Sequence, residues 1–100
     1  MFVELNDKNF QNETSDGLKL VDFYTTWCKY CKNQDVVLEE LSENDFWIGK
    51  LDCDKFPNIV HEYGIMGFPS FILFKDGKVA AQFAGYHTKT QLLDKLTANI

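Results

Sequence analysis

The chain has no arginine, since each of its ten basic residues is a lysine. This excludes the planar, bidentate binding of phosphate or carboxylate that a guanidinium group provides. Fifteen acidic residues give a net charge of -5, which disfavours nucleic acids and anionic membranes as partners. No apolar run approaches the roughly 20 residues that a membrane-spanning helix needs. The sequence also lacks a glycine-rich nucleotide fingerprint.

Cysteine is scarce as well, with three residues in a chain of 100. Three cysteines cannot form a closed disulfide framework, and Cys28 and Cys31 are too close in sequence to brace a fold. The first seven residues lack the basic and then apolar stretches of a secretory signal, so a reducing cytosol is the expected compartment. An apolar content of 45% is enough for a core without staples, and we expect one domain over residues 1–100.

Apolar periodicity and turn signals predict strands that alternate with helices. The predicted strands cover residues 2–5, 18–24, 46–52, 70–74 and 79–83. The predicted helices cover about 6–13 and 28–43, a short stretch that starts at Pro57 and ends at Gly64, and a last segment with a capping box at Thr88 and Gln91. This order indicates an α/β fold, with a mixed central sheet covered by helices on both faces.

The most informative motif is Cys28-Lys29-Tyr30-Cys31, where a predicted buried strand gives way to a helix. Two cysteines at this spacing can close into a small disulfide ring and reopen with little backbone motion, which predicts a redox pair. At a helix N-terminus the Cys28 thiolate gains from the dipole and the free N–H groups, and Lys29 adds a nearby cation. Cys28 is therefore the predicted nucleophile and Cys31 the resolving thiol. The alternative is a pair of buried, inert thiols.

Asp22 interrupts an apolar strand six residues before Cys28. Burial should raise the pKa of this carboxyl, which makes Asp22 a candidate proton acceptor for Cys31. Lys50, on the neighbouring predicted strand, could pair with Asp22 and lower that pKa. A purely structural ion pair is the alternative, and both roles can hold together.

These residues together resemble the thioredoxin family over essentially the whole chain. The segments that carry the resemblance are Val21-Asp22-Phe23-Tyr24, Trp27-Cys28-x-x-Cys31-Lys32, Lys50-Leu51-Asp52, residues 63–70 and Gly85. The resemblance implies a thioredoxin fold and a thiol–disulfide oxidoreductase that reduces protein disulfides. The chain differs from the family pattern where Lys29-Tyr30 replaces Gly-Pro and where Val36 replaces a proline. The chain equally resembles the protein disulfide isomerase branch at Tyr24, Lys32 and Gly67-Phe68-Pro69. It resembles glutaredoxins at Tyr30, the residue before the second cysteine.

The resemblance also implies a substrate-binding surface around the two cysteines. Its expected members are Trp27, Lys29, Tyr30, Met66, Gly67, Phe68, Pro69 and Gly85. Trp27 is expected to shield the disulfide, and the Phe68–Pro69 peptide to be cis, with the Phe68 backbone binding an extended substrate as an added strand. A trans proline at an ordinary strand start is the alternative. Gly85 would let the backbone lie close to a partner.

The expected partners are protein disulfides and an electron donor, either a thioredoxin reductase-like flavoenzyme or glutathione. We expect a monomer that binds no cofactor and no metal, with His61 and His87 at the surface or the edge of the core. The alternatives are an oxidase or isomerase, and a docking subunit that works without turnover. Cys53 is either a small buried hydrophobic residue or, as the resemblance suggests, an exposed and modifiable thiol.

Overall fold

The computed structural model describes residues 2–100 and contains strands and helices that alternate along most of the chain. They are β1 (Phe2–Leu5), α1 (Phe10–Glu13), β2 (Leu18–Tyr24), α2 (Lys29–Glu43), β3 (Ile48–Asp52), α3 (Pro57–Glu62), β4 (Ser70–Lys75), β5 (Lys78–Ala84) and α4 (Lys89–Ala98). The strands form one sheet in the order β1-β3-β2-β4-β5. β3 runs parallel to β1 and β2, whereas β4 is antiparallel to β2 and β5. The predicted mixed sheet is confirmed.

The sheet separates two apolar cores, because side chains along a strand point alternately to its two faces. The first core joins the sheet to α1 and α3 and contains Leu5, Phe10, Val21, Phe23, Leu51, Cys53, Ile59, Ile65, Ile72 and Phe74. The second joins the sheet to α2 and α4 and contains Leu20, Leu38, Leu41, Ile48, Phe71, Leu73, Leu92 and Leu96. Helices therefore cover both faces, as predicted. By the same alternation, Asp22 and Lys50 lie on the α2 face.

Two elements begin later than the sequence predicts. Helix α1 starts at Phe10, because the preceding turn is held by side-chain amides that compete with helical hydrogen bonds. The Asn6 amide oxygen accepts the Asn9 N–H at 2.8 Å, and the Asn9 amide oxygen accepts the Asn6 N–H at 2.7 Å. Strand β3 starts at Ile48 rather than at residue 46, because the Phe46 N–H donates to a carbonyl in the last turn of α2.

The predicted hairpin and the predicted capping box are both confirmed. Asp76 and Gly77 form a two-residue loop between β4 and β5 with φ of 50° and 84°, the left-handed pair that suits the twist of a hairpin. At the start of α4, the Thr88 hydroxyl accepts the Gln91 N–H at 3.2 Å and the Gln91 amide oxygen accepts the Thr88 N–H at 2.9 Å. These features position α4 against α2 on the face of the sheet that carries Asp22.

Candidate active site

The two cysteines of the motif lie at the first turn of α2. Cys28 is the N-cap residue, with extended backbone angles of φ −83° and ψ 117°, and its Sγ accepts the Cys31 N–H at 3.2 Å. The sulfur thus occupies the place where a helix usually has a hydroxyl or carboxylate oxygen. Both thiols are free and largely buried. The structure therefore brings the predicted pair together, with the Cys28 sulfur directed at backbone donors that favour negative charge.

Cys31 is the more deeply buried of the two thiols. Burial raises its pKa to about 12, and its hydrogen bond with Cys28 and the charge of Asp22 act in the same direction, whereas a backbone hydrogen bond at Thr25 lowers it. At neutral pH Cys31 is therefore protonated. Because only a thiolate attacks a disulfide, Cys31 needs a neighbouring base.

Asp22 is completely buried on β2, and neither of its carboxylate oxygens has a hydrogen-bond partner among residues 2–100. Burial raises the pKa of this carboxyl to about 8, the Lys50 charge lowers it, and the charges of Asp35 and Glu4 raise it further. The predicted upward shift is confirmed. Asp22 is thus a neutral acid in most molecules at neutral pH, with a pKa suited to exchanging protons there.

Lys50 lowers the pKa of Asp22, as predicted, but the prediction of a direct ion pair between them was wrong, although the two residues are in register on adjacent strands. The Lys50 ammonium instead lies 2.5 Å from a carboxylate oxygen of Asp35 on α2, and 4.5 Å from the centre of the Tyr24 ring. An ammonium gains more from a half-exposed, ionised carboxylate than from a buried acid that holds its proton. The signal for Asp35 is its position four residues after Cys31, which places both on one helix face.

Exposed aromatic and apolar side chains adjoin the cysteines in sequence and occupy the segment before Pro69. Trp27 is 68% exposed, its indole N–H donates to Asp54 at 2.9 Å, and its ring meets the Phe68 ring edge-on at 5.9 Å. Through that contact the residue before Cys28 touches the residue before Pro69. Tyr30 and Met66 are also exposed, Met66 almost fully. The Trp27–Phe68 contact therefore links the segment that precedes the buried thiols to the segment that precedes Pro69.

The second half of the expected substrate surface lies at the start of β4. The Phe68–Pro69 peptide is cis, as predicted, and Pro69 is buried. The Pro69 carbonyl accepts the Gly85 N–H at 2.8 Å, so the predicted Gly85 lies directly beside it, with a left-handed φ of 92°. Gly67 is half-buried, and its carbonyl accepts the Ser70 hydroxyl. Lys29 is exposed next to Cys28.

Gln34 is a site residue whose role the sequence did not reveal. Its side chain is completely buried, its amide N–H donates to the His87 carbonyl at 2.8 Å, and its amide oxygen accepts the His87 N–H at 2.8 Å. The His87 ring lies at the edge of the core, as predicted, and contacts the Gly85 carbonyl through Nδ1 at 2.7 Å. Gln34 therefore ties α2 to the loop that contains Gly85. Its signal in the sequence is the spacing from Cys31 and Leu38, which places a polar side chain on the buried face of α2.

Cys53 lies apart from the exposed surface. It is buried, its sulfur is 3.8 Å from the Leu51 carbonyl, and burial raises the pKa of its thiol to about 12. The alternative of an exposed, modifiable thiol was wrong, and the interpretation as a small buried hydrophobic residue is confirmed. The rim position is covered because Cys53 belongs to the core between the sheet and α3.

Among residues 2–100, no cluster of three or more histidine, cysteine or acidic side chains is arranged to hold a metal ion. No helix in the same range is both long enough and apolar enough to cross a membrane.

The comparisons with known proteins agree on one family. The thioredoxin family profile matches residues 1–98. The chain is similar to the thioredoxin of Listeria monocytogenes, at 39% identity over 92% of each chain. It is also similar to the thioredoxins of Staphylococcus epidermidis and Staphylococcus aureus, at 37% identity over 98% of this chain and 97% of theirs.

The chain belongs to the thioredoxin family. Thioredoxin relatives that align over nearly the whole chain, together with the Cys28–Cys31 pair, make it a thiol–disulfide oxidoreductase, with the thioredoxin fold that the resemblance implied. Membership implies protein disulfides as substrates and a reductase as partner. The two alternative functions, an oxidase or isomerase and a docking subunit, are not favoured, because the named relatives are thioredoxins.

Proposed function

We propose that the chain reduces protein disulfides with Cys28 as the nucleophile, Cys31 as the resolving thiol and Asp22 as the proton acceptor. One observation carries this proposal. The Cys28 sulfur caps α2 and accepts the Cys31 N–H at 3.2 Å, while Cys31 is sealed beneath it as a protonated thiol. The Cys28 sulfur is thus positioned to attack the substrate, whereas Cys31 needs a base that removes its proton before it can attack.

The first step is attack by the Cys28 thiolate on one sulfur of the substrate disulfide. A new sulfur–sulfur bond joins Cys28 to the substrate, the substrate bond breaks, and the leaving thiolate takes up a proton. In the second step Cys31 gives its proton to the Asp22 carboxylate and attacks the Cys28 sulfur. The Cys28–Cys31 disulfide forms, the second substrate thiolate leaves, and two electrons have passed to the substrate.

Asp22 suits this role because its pKa is about 8. An ordinary aspartate, with a pKa near 4, is a much weaker base, and general-base efficiency is greatest when the pKa lies near the working pH. The charge of Asp22 also raises the pKa of the Cys31 thiol, which supports a proton transfer between the two groups.

For substrate binding, we propose that Trp27, Tyr30, Met66 and Phe68 supply apolar contact around the cysteines. The exposure of three of these side chains and the Trp27–Phe68 contact support this role. The backbone of Gly67 and Phe68, beside Pro69 and Gly85, would pair with an extended segment of the substrate. Lys29, exposed beside Cys28, would add a positive charge.

We further propose one domain over residues 1–100, acting as a cytosolic monomer without nucleic acid, membrane, metal or cofactor. A single sheet that includes every strand of residues 2–100 supports the domain assignment. The net charge of -5 supports the absence of nucleic acid and anionic membrane. A thioredoxin reductase-like flavoenzyme or glutathione would restore the dithiol, because the chain has no nucleotide fingerprint of its own.

Trapping the mixed disulfide tests the order of attack. Cys31→Ser, mixed with a disulfide-bonded peptide, is expected to accumulate a covalent adduct through Cys28, because the resolving thiol is gone. Cys28→Ser is expected to form none, and Cys53→Ser should turn over like the unmodified chain. Mass spectrometry of non-reduced samples measures the adduct. An adduct on Cys31 in Cys28→Ser would reverse the assigned roles.

The reducing direction is tested by the potential of the Cys28/Cys31 couple. We expect a potential more negative than that of glutathione, measured by equilibration with glutathione buffers. Replacing Lys29-Tyr30 by Gly-Pro should lower the potential further, since the nearby cation that stabilises the Cys28 thiolate is removed. A potential above that of glutathione would favour the oxidase or isomerase instead.

A further inference from the structure

The Lys50 ammonium lies among several carboxylates, and only one of them holds it. Lys50 on β3 is in register with Glu4 on β1 and with Asp22 on β2. Asp35 approaches from α2 and forms the ion pair, with 2.5 Å between the ammonium nitrogen and a carboxylate oxygen. The strand register would also allow an ion pair between Lys50 and Asp22. The position of the ammonium is therefore set by Asp35.

The surrounding contacts fix this arrangement. The Lys50 ammonium lies 4.5 Å from the centre of the Tyr24 ring, and the Tyr24 hydroxyl donates to Glu4 at 2.9 Å. Glu4 is thus already engaged by a neutral donor. The Lys50 side chain is 19% exposed and that of Asp35 is 39% exposed, so the pair lies at the edge of the site rather than inside it. Asp22 is left with no hydrogen-bond partner among residues 2–100.

We propose that Asp35 is a positioning residue: it holds the Lys50 ammonium and thereby leaves Asp22 unpaired and able to accept the Cys31 proton. This inference rests on the proposed role of Asp22 and deepens it. Asp35 belongs to the same helix as both cysteines and lies four residues, about one turn, after Cys31. The helix that carries both cysteines therefore also carries the residue that holds Lys50 in place near Asp22.

The charges around Asp22 make the position of Lys50 decisive. Besides Lys50, the groups that interact electrostatically with Asp22 are Cys31 and Asp35 on α2, Glu4 on β1, Tyr24 on its own strand, and Cys53 on the opposite face of the sheet. All of these are neutral or negative, whereas Lys50 is the cation that lowers the pKa of Asp22. A Lys50–Asp22 pair would keep Asp22 ionised and make it a poor base.

The test is Asp35→Asn, with the Asp22 carboxyl titrated by carbon NMR in the reduced protein. We expect the Asp22 midpoint to fall by about one to three pH units, the usual effect of a cation that approaches a carboxylate closely. The acidic limb of the pH profile for release of a trapped mixed disulfide should move by the same amount. Asp35→Glu should restore both values. Glu39→Gln, an equal charge change at an exposed position one turn further along α2, should move neither.

A Lys50→Met background separates positioning from the direct charge of Asp35, which also raises the pKa of Asp22. If Asp35 acts through Lys50, most of the shift caused by Asp35→Asn disappears in this background. An equal shift with and without Lys50 would overturn the inference.

The two proposals also fail in different ways. An unchanged Asp22 midpoint in Asp35→Asn, combined with slow release in Asp22→Asn, would overturn the role of Asp35 and keep that of Asp22. A lowered midpoint with an unchanged pH profile for release would refute Asp22 as the proton acceptor, and the positioning role of Asp35 with it.

Discussion

The two faces of the sheet differ in the side chains that pack against them. Towards α1 and α3, four rings form a cluster of Phe10, Phe23, Tyr63 and Phe74, with ring centres 5.6 to 6.4 Å apart. Thr14, a buried polar residue on this side, donates its hydroxyl to the Phe10 carbonyl. Towards α2 and α4, the core is mainly aliphatic, with Phe71 as its one fully buried ring among residues 2–100, and it is interrupted by Asp22 and Gln34, both completely buried.

This difference separates stability from chemistry. A buried acid without hydrogen bonds costs free energy of folding, and such groups are concentrated at functional sites. Among residues 2–100, the aromatic face, which packs against α1 and α3, has no such group and can stabilise the fold without constraining the reaction. The α2 face carries Cys31, Asp22 and Gln34, so its packing is interrupted where the thiols react.

The largest effect on stability is expected on the aromatic face. Phe74→Ala removes a buried ring that contacts Phe10 and Tyr63, and should lower the free energy of unfolding by about 3–5 kcal/mol. The rate of disulfide exchange per folded molecule should stay unchanged, because Phe74 lies on the face opposite Asp22. Denaturant unfolding and single-turnover exchange measure the two quantities. A slower exchange in fully folded protein would show that the faces are coupled.

Asp22→Asn should raise the free energy of unfolding, in contrast to Phe74→Ala, and should slow the reaction strongly. The folded state holds the Asp22 proton with a pKa of about 8, against 3.8 for the unfolded chain. The stabilising contribution of this carboxyl is therefore complete below about pH 4 and is lost as the pH rises towards 8. At pH 7 the loss is on the order of 4 kcal/mol, which the neutral asparagine should recover.

The same variant should release a mixed disulfide about 10²-fold or more slowly, because Cys31 loses its base. Unfolding curves between pH 4 and 8 and single-turnover release test the two effects together. Asp52→Asn is the matched control, since Asp52 is buried in the same sheet but accepts the Asp54 N–H. It should gain no stability at pH 7. If Asp22→Asn were destabilised and still released its partner at the normal rate, Asp22 would have a structural role alone.

The sequence predicted what depends on local pattern. Apolar runs and turn signals located the strands, and the spacing of Cys28 and Cys31 at a helix start located the thiols. It predicted the raised pKa of Asp22, because a carboxylate inside an apolar strand must be desolvated wherever the strand lies. The partner of Lys50 was missed, because strand register places Lys50 beside Asp22 while Asp35 approaches from helix α2. The spacing of Asp35 from Cys31 indicates its helix face but does not indicate which strand side chain it meets.

The smallest of these effects concerns Gln34, which joins the reactive helix to the loop beside Pro69. Gln34→Leu would leave the N–H and the carbonyl of His87 without their side-chain partners. We expect a loss of about 1–3 kcal/mol in the free energy of unfolding, reduced by the apolar gain of leucine.

The functional consequence of Gln34→Leu should appear in KM rather than in the chemistry. The loop that carries Gly85 would be held less firmly against the Pro69 carbonyl, so KM for a protein disulfide should rise while the titration of Asp22 stays unchanged. Asn33→Leu makes the same replacement at the exposed neighbouring position and should change stability by less than about 0.5 kcal/mol. Steady-state kinetics with a disulfide-bonded protein measures the effect. If Gln34→Leu were as stable as Asn33→Leu and had an unchanged KM, the buried amide would be dispensable, and the α2 face would differ from the aromatic face through Asp22 alone.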